Sequence, residues 1–237
     1  MSSFSEKTIC CIQARINSAR LYGKVMLEII GKPIIQLIIE RLQLCSTFNK
    51  IILLTSVNQE NDVLEKFVLS LNIPVVRGSE EDVLSRFVEA QKKYDARHII
   101  RICADNPLLD HVEIDKIVNY HFEHDSDYSF NHIPLMGNNY PDGIGAEIFT
   151  KKALLKSEKC GYLPEDREHV NNYIFRNTGF FIIKTIQASK QIAYPTLKLD
   201  VDTMDDFIFV ESIFNNFDHN NFSTLDVINF LKKEQLI

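Results

Sequence analysis

The stretch TICCIQARINSARLYGK, residues 8–24, decides how the rest of the chain folds. It opens with the apolar run Thr8–Ile12, which is short and rich in β-branched residues, as is typical of a buried strand. Polar and basic residues follow at once, and residues 14–24 have the composition of a loop. The sequence therefore predicts a first strand whose carboxyl end leads directly into a cationic loop.

Short apolar strands alternate with helical patterns along the rest of the chain. Further strands are predicted at 51–55, 75–76, 98–103 and 197–201, and helices at 34–42, 60–71, 79–94, 112–122, 151–157, 165–176, 203–214 and 224–234. Elements that alternate with short connections form a mostly parallel sheet with helices on both faces. We therefore expect one α/β domain in which ligands bind beyond the carboxyl ends of the strands.

Two segments of this pattern have distinctive local sequences. Ser79 is predicted to be the N-cap of the helix 79–94, and Asp82, three residues later, takes the place of the usual Glu in a capping box. Residues 131–147 are rich in Gly, Asn and Pro, which predicts an irregular segment or a hairpin.

Composition and charge exclude several classes of protein. The 237 residues are 45% hydrophobic and carry a formal net charge of −6, which disfavours nucleic acid or an anionic membrane as a partner. The five cysteines lack a C-x-x-C pair, which favours free thiols in a reducing compartment. The segment Met1–Lys7 is too short and polar for a signal peptide, and no apolar run is long enough to span a membrane. We expect a cytoplasmic protein.

The loop 14–24 has the residue types that a triphosphate requires. Arg15, Arg20 and Lys24 supply fork-shaped donors and a point charge, and small neighbours leave backbone N–H groups accessible. The chain contains neither a Walker P-loop nor a dinucleotide-binding fingerprint. From composition alone, a solvated basic loop is an equally good interpretation.

A carboxylate follows the predicted strand 98–103. Asp105 lies just beyond the strand end, in a turn that contains Pro107, so its side chain is expected to project into the cleft. A hard cation such as Mg²⁺ binds one or two protein carboxylates together with phosphate oxygens. Asp105 is therefore our candidate metal ligand, and the alternative is a turn Asp that caps the next element.

Four segments together resemble the cytidylyltransferase family, which includes the CMP-sialate and CMP-Kdo synthetases and the group of spore coat polysaccharide biosynthesis protein F. The loop 14–24 matches the family pattern A-R-x-x-S-x-R-L-P-G-K except that Tyr22 replaces Pro. The segments RGSEEDVLSRF (77–87), RICADNPLLD (101–110) and LDVDT (199–203) match three further family motifs. The matches extend along nearly the whole chain.

This resemblance implies a fold and a nucleotide site. The fold is a single-domain, Rossmann-like (GT-A-like) nucleotidyltransferase domain over residues 1–237. The residues implied to bind the nucleotide are Ala14, Arg15, Ser18, Arg20, Lys24, Ser79, Asp82, Arg101 and Asp105. Asp105 and Asp202 are implied to share one Mg²⁺, and Arg15, Lys24 and Asp105 to act in catalysis. Without the resemblance, the alternative is that Asp202 or Thr203 is the N-cap of the next helix.

Two further segments resemble the acceptor side of the family. They are YPDGIGAEIF (140–149) and REHV (167–170), and they imply acceptor contacts from Asp142, Glu147, Arg167 and His169. The residues alone also fit a turn, a strand and a helix face. Residues 131–176 are interpreted as an acceptor-side insertion, and a homodimer formed through this region is a hypothesis.

The function implied is CTP-dependent transfer of CMP to a small acceptor, with release of pyrophosphate. The acceptor is expected to be a sugar acid, a sugar phosphate or a related compound of surface-glycan synthesis. Two alternatives stay open: a sugar-phosphate nucleotidyltransferase that uses another NTP, and a nucleotide-binding module without catalytic activity.

Overall fold

A twisted sheet runs through the computed structural model, which describes residues 7–237. Its strands are β1 (Thr8–Gln13), β4 (Ile51–Ser56), β5 (Val75–Gly78), β6 (His98–Cys103), β7 (Tyr128–Phe130), β8 (Glu147–Thr150) and β9 (Ile183–Thr185). They lie in the order β5-β4-β1-β6-β8-β7-β9, and only β8 runs antiparallel to its neighbours. The short strands β2 (Glu28–Ile29) and β3 (Lys32–Pro33) form a separate pair. The predicted mostly parallel sheet is confirmed.

The order of the strands fixes the place of the site. From β1 the chain moves outward through β4 to β5, and then returns to place β6 on the other side of β1. This reversal between β1 and β6 is a topological switch point, where α/β sheets open a crevice at the carboxyl ends of the strands. The loops 14–24 and 104–110 leave the sheet at this crevice.

Helices cover both faces of the sheet. They are α1 (Ile34–Leu42), α2 (Asp62–Ser70), α3 (Val83–Tyr94), α4 (His111–Glu123), α5 (Lys151–Cys160), α6 (Pro164–Glu168), α7 (Asn172–Arg176), α8 (Met204–Phe214) and α9 (Thr224–Lys233). Side chains of β1 alternate between two cores, with Cys10 and Ile12 in one and Ile9 and Cys11 in the other. Strand β1 is therefore buried on both faces, which explains why its sequence is continuously apolar.

Three predicted elements differ from the structure. Helix α3 starts at Val83 with Asp82 as its N-cap, because the Asp82 carboxylate accepts the Ser85 N–H, whereas Ser79 accepts the Asp82 N–H in the preceding turn. The predicted helix 165–176 is two helices, because His169 has extended backbone angles. Val170 and Ile174 are both buried, so the helical period of apolar residues continues across the break and does not reveal it.

The third difference is the predicted strand 197–201, which contributes only one bridge, between Lys198 and Asp142. Leu197, Leu199 and Val201 are buried in alternation as in a strand. The partner segment turns at once, since Gly143 has a φ of +93°, and so it cannot continue the ladder. Conversely, β7, β8 and β9, which have three or four residues each, were not predicted.

Two statements about targeting have different outcomes. The prediction that the N-terminal segment is not a signal peptide concerns residues 1–7. Residues 1–6 lie outside the described residues. Among the helices of residues 7–237, none is both long and apolar enough to cross a membrane.

Arg41 on α1 joins three segments of the fold. Its side chain is 1% exposed and donates to the carbonyl oxygens of Leu109, Asn220 and Phe222 at 2.6–2.8 Å. We expect Arg41→Met to lower the free energy of unfolding by about 2–4 kcal/mol, because buried carbonyls lose their donors. Urea denaturation measures this change. Lys92→Met on the exposed side of α3 is the control, and equal stability of the two variants would contradict the prediction.

A histidine pair formed by the buried His121 of α4 and the partly buried His98 of β6 predicts a loss of stability in acid. His121 Nε2 lies 3.2 Å from His98 Nδ1, and burial lowers the pKa of His121 to about 3 and that of His98 to about 4. The unfolded chain, with pKa values near 6.5, therefore binds more protons as the pH falls from about 6.5 to 4. We expect a loss of about 2 kcal/mol between pH 7 and pH 5 from His121 alone.

Urea denaturation at the two pH values measures this loss. His121→Gln is the comparison: it should be less stable at pH 7 but should lose less stability on acidification. The same pH dependence in both proteins would contradict the assignment to His121.

Candidate functional site

The crevice at the carboxyl ends of β1 and β6 holds a cavity of about 410 Å³. The loop 14–24 forms one wall, and the residues after β6 and before α8 form another. The sequence-predicted residues that line it are Ala14, Arg15, Ser18, Arg20, Lys24, Arg101, Asp105, His169 and Asp202. These residues come from four separate parts of the chain and converge on one site.

Lys24 lies at the centre of this convergence. Its Nζ is 3.2 Å from Asp105 Oδ2 and 3.0 Å from Asp202 Oδ1, and it donates to the Val201 carbonyl oxygen at 2.7 Å. The residue is 9% exposed, so this cation is largely removed from solvent. Two carboxylates that are 97 positions apart in sequence thus share one buried ammonium group.

The loop 14–24 is held in shape by a few specific contacts. The backbone N–H of Ile16 donates to Asn61 Oδ1 at 2.8 Å, and that of Gly23 donates to the Ile16 carbonyl. Gly23 has a φ of +69°, a conformation that glycine adopts at little cost, immediately before Lys24. Tyr22, which replaces the family's Pro, is 67% exposed and makes no contribution to the core.

Backbone contacts fix the two carboxylates relative to each other. The Val201 N–H donates to the Asp105 carbonyl oxygen at 2.7 Å, so the two segments are joined directly before Asp202. Arg20 contacts the same Asp202 Oδ1 that Lys24 contacts, at 2.7 Å. Partial burial acts to raise the pKa of Asp202, but the hydrogen bond and charge of Lys24 outweigh it and lower the pKa.

Two further carboxylates stand beside this pair. Burial raises the pKa of Asp200 to about 6, and repulsion from Asp142 and Asp105 adds to the shift. Burial and the charge of Asp105 likewise raise the pKa of Asp142. Neither Asp142 nor Asp200 is among the residues that line the cavity, so the predicted acceptor residue Asp142 adds negative charge near Asp105 without facing the cavity.

The second cluster of predicted residues lies around a neighbouring cavity of about 520 Å³, which shares Arg15 with the first. Ser79, Asp82 and Arg167 line it. Arg15 pairs with Glu80 at 2.8 Å, and Arg167 pairs with Asp82 at 2.5 Å. Both arginines are thus already paired with carboxylates of the 79–82 turn.

Glu147, predicted to contact the acceptor, does not line either cavity. It is 1% exposed, forms a short ion pair with Arg101, and accepts hydrogen bonds from Tyr128 Oη and Asn171 Nδ2, each at 2.6 Å. Burial acts to raise the pKa of Glu147, but Arg101 outweighs it and the pKa is lowered. In this conformation the Glu147 carboxylate lies behind the cavity and orients Arg101, which lines it.

Arg86 is a residue of the cavity that the sequence reasoning did not assign. It is 1% exposed, and no atom within residues 7–237 accepts a hydrogen bond from its Nε or Nη1. Burial lowers the pKa of Arg86 to about 10, so it stays charged at neutral pH. The available signal was a charge in the apolar stripe of α3, between Val83 and Phe87. An unpaired buried cation at a cavity calls for ligand acceptors.

The site fits a hard divalent cation through Asp105 and Asp202. Their carboxylates both contact the Lys24 ammonium, so a cation already lies between them. Within the described residues there is no cluster of three or more His, Cys, Asp or Glu side chains arranged to hold a metal. A two-carboxylate set is suited to Mg²⁺, which keeps the rest of its shell for water and phosphate oxygens.

Several known proteins are similar to this chain in sequence and in fold. A sequence model of the cytidylyltransferase family matches residues 9–230. The chain is 34% identical over 231 residues to an uncharacterised protein of Methanocaldococcus jannaschii, covering 98% of this chain and 93% of that protein. It is 28% identical over 208 residues to the spore coat polysaccharide biosynthesis protein SpsF of Bacillus subtilis, covering 86% of this chain and 84% of that protein.

A solved structure agrees with these relationships. A cytidylyltransferase from Leptospira borgpetersenii serovar Hardjo-bovis matches with a TM-score of 0.91 at 28% identity, covering 97% of this chain and 95% of that one. This chain therefore has the fold of a solved cytidylyltransferase over nearly its whole length.

The unpaired charge of Arg86 generates a prediction about stability. We expect Arg86→Met to raise the free energy of unfolding by about 1–3 kcal/mol, because it removes a buried charge whose Nε and Nη1 have no acceptor within residues 7–237 and which Glu80 and Asp82 offset only in part. Urea denaturation measures this. Arg86→Lys, which keeps the charge, should show no such gain, and a clear loss of stability in Arg86→Met would contradict the account.

Proposed function

The chain belongs to the cytidylyltransferase family, and on that basis we propose that it transfers the CMP group of CTP to a small acceptor and releases pyrophosphate. The observation that carries this proposal is the contact of Lys24 with both Asp105 and Asp202, beside Arg15 and Arg20. A triphosphate and a divalent cation need this combination of adjacent cations and carboxylates.

The class of acceptor is part of the proposal. We propose a sugar acid, a sugar phosphate or a related compound of surface-glycan synthesis. The Bacillus subtilis relative is a spore coat polysaccharide biosynthesis protein, which supports an acceptor of this class. Arg86, with its unpaired donors, suits a ligand that presents adjacent acceptor atoms.

In the proposed reaction, an oxygen of the acceptor attacks the α-phosphorus of CTP. A new bond forms between that oxygen and phosphorus, and the bond between the α-phosphorus and the bridging oxygen breaks, so that pyrophosphate leaves with the electron pair. A protein nucleophile is not needed. Catalysis of this kind depends mainly on positioning and on stabilisation of developing negative charge.

The cations of the loop 14–24 are placed to stabilise the leaving group. Arg15, Arg20 and Lys24 would bind the β- and γ-phosphates, and each is paired with a carboxylate in the ligand-free protein. On nucleotide binding these cations would therefore exchange their carboxylate partners for phosphate oxygens. Asp105 and Asp202 would hold Mg²⁺, which supplies positive charge close to the phosphates.

The fate of the acceptor proton depends on the acceptor. A hydroxyl must lose its proton during the attack, and His169, which lines the cavity, is then the candidate base. A phosphate acceptor is already ionised at neutral pH and needs no base. The alternatives of another NTP and of a non-catalytic nucleotide-binding module are outcomes of the same experiment.

We expect pyrophosphate release only with CTP when the four NTPs are each supplied with Mg²⁺ and a panel of sugar acids and sugar phosphates. Asp105→Asn should lower the rate by about 100-fold or more, because it removes a carboxylate from the metal pair. Release is measured with a coupled pyrophosphate assay.

Asp205→Asn is the matched control, since Asp205 lies at the exposed start of α8 and should leave the rate unchanged. Release with a different NTP would replace CTP in the proposal and leave the metal site in place. Nucleotide binding without turnover for any acceptor of the panel would favour the non-catalytic module.

A further inference from the structure

Asp206, in the first turn of α8, contacts the segment that carries Asp202 more extensively than a helix cap requires. One oxygen, Oδ2, accepts the backbone N–H groups of Asp202 at 3.0 Å and Thr203 at 2.8 Å. The same oxygen accepts the Thr203 hydroxyl at 2.9 Å and the Lys198 ammonium at 3.0 Å. Four donors thus converge on a single carboxylate oxygen.

Part of this arrangement is an ordinary capping box, and the chain contains a second copy for comparison. In α9, Asp226 Oδ2 accepts the N–H and hydroxyl of Ser223 at 2.8 and 2.7 Å. In α8, Asp206 and Thr203 make the same two contacts. The additional contacts of Asp206 are those with the Asp202 N–H and with Lys198, and helix capping does not explain them.

The contact with the Asp202 N–H completes a chain of restraints between the two carboxylates of the site. On one side, the Val201 N–H donates to the Asp105 carbonyl, which sets the distance between the two backbones. On the other side, the Asp202 N–H donates to Asp206, which fixes the peptide plane just before the Asp202 side chain. The direction of the Asp202 carboxylate is therefore set from both sides.

Lys198 provides the charge that keeps this acidic segment together. Its Nζ lies 3.0 Å from Asp206, 3.5 Å from Asp200 and 3.7 Å from Asp202 Oδ2. Lys24 and Arg20 contact the other oxygen, Oδ1, of Asp202. The two Asp202 oxygens thus face different cations, and release of Oδ1 by Lys24 would leave Oδ2 beside Lys198.

We infer that Asp206 and Lys198 are positioning residues that hold the Asp202 carboxylate in the orientation needed to bind a divalent cation together with the nucleotide. This inference rests on the proposed function. Groups that orient a metal ligand without touching the metal typically change its affinity by about 10- to 100-fold when they are removed.

The test compares Asp206→Ala with Asp226→Ala in the full-length protein. Both variants lose a capping box and should lose similar stability. The readout is the dissociation constant of CTP, measured by calorimetry with Mg²⁺ and again with EDTA. The dissociation constant in EDTA divided by that in Mg²⁺ gives the metal-dependent part of the affinity. Loss of a helix cap alone does not change this ratio.

We expect Asp206→Ala to lower this ratio by about 10-fold or more, while Asp226→Ala keeps the wild-type ratio. Asp206→Asn, which retains an acceptor oxygen, should lie between them, and it replaces the Ala variant if that protein does not fold. Lys198→Met should also lower the ratio.

Equal ratios in the Asp206 and Asp226 variants would overturn the inference and leave the proposed function standing. A wild-type protein whose affinity for CTP does not depend on Mg²⁺ would contradict the proposed function itself, and the inference would fall with it. The two failures are therefore distinguished by the wild-type measurement.

Discussion

The buried ammonium of Lys24 between Asp105 and Asp202 is the contact on which the arrangement of the site depends. Two carboxylates that lie side by side repel each other, and a cation between them offsets this repulsion. Lys24 provides that cation and joins three segments: the loop after β1, the loop after β6 and the residues before α8. The switch point of the sheet brings these segments together, and Lys24 makes their convergence stable.

This arrangement implies a simple logic for ligand binding. Each cation of the loop 14–24 is neutralised by a carboxylate in the ligand-free protein, so the site carries little unpaired charge on this side. A triphosphate with a divalent cation brings both signs of charge. The phosphates can bind the cations of the loop while the divalent cation binds the carboxylates. The exception is Arg86, whose donors lack acceptors in the described part of the chain and thus favour the occupied state.

Much of the fold could be predicted from the sequence because it depends on local patterns, whereas most residues of the candidate site were assigned through the resemblance to the family. Continuous apolar strands such as β1 and β6 are recognisable because they are buried on both faces, and capping residues such as Thr203 are explicit signals. Residues 14–24 carry their chemistry within one loop, so their convergence on one cavity followed from the position of that loop after β1. Asp105 and Asp202 likewise follow predictable extended segments.

Other features could not be predicted because they depend on tertiary contacts. The N-cap of α3 is Asp82 and not Ser79, because the Ser79 hydroxyl accepts the Asp82 N–H in the preceding turn and Asp82 accepts the Ser85 N–H. The burial of Glu147 against Arg101 depends on β8 running antiparallel beside β6, and a three- or four-residue strand gives too short a pattern to show this. The unpaired state of Arg86 is a property of its surroundings and not of its own sequence position.

A crystal structure with CTP and Mn²⁺ would test the central claim most directly, because Mn²⁺ scatters anomalously and can be located independently of the nucleotide. The account predicts an anomalous peak in contact with both Asp105 and Asp202, adjacent to the phosphates, with the Lys24 ammonium moved from between the carboxylates to the phosphate chain. A nucleotide bound elsewhere, or a Lys24 that stays between Asp105 and Asp202 while the metal binds at another place, would contradict it.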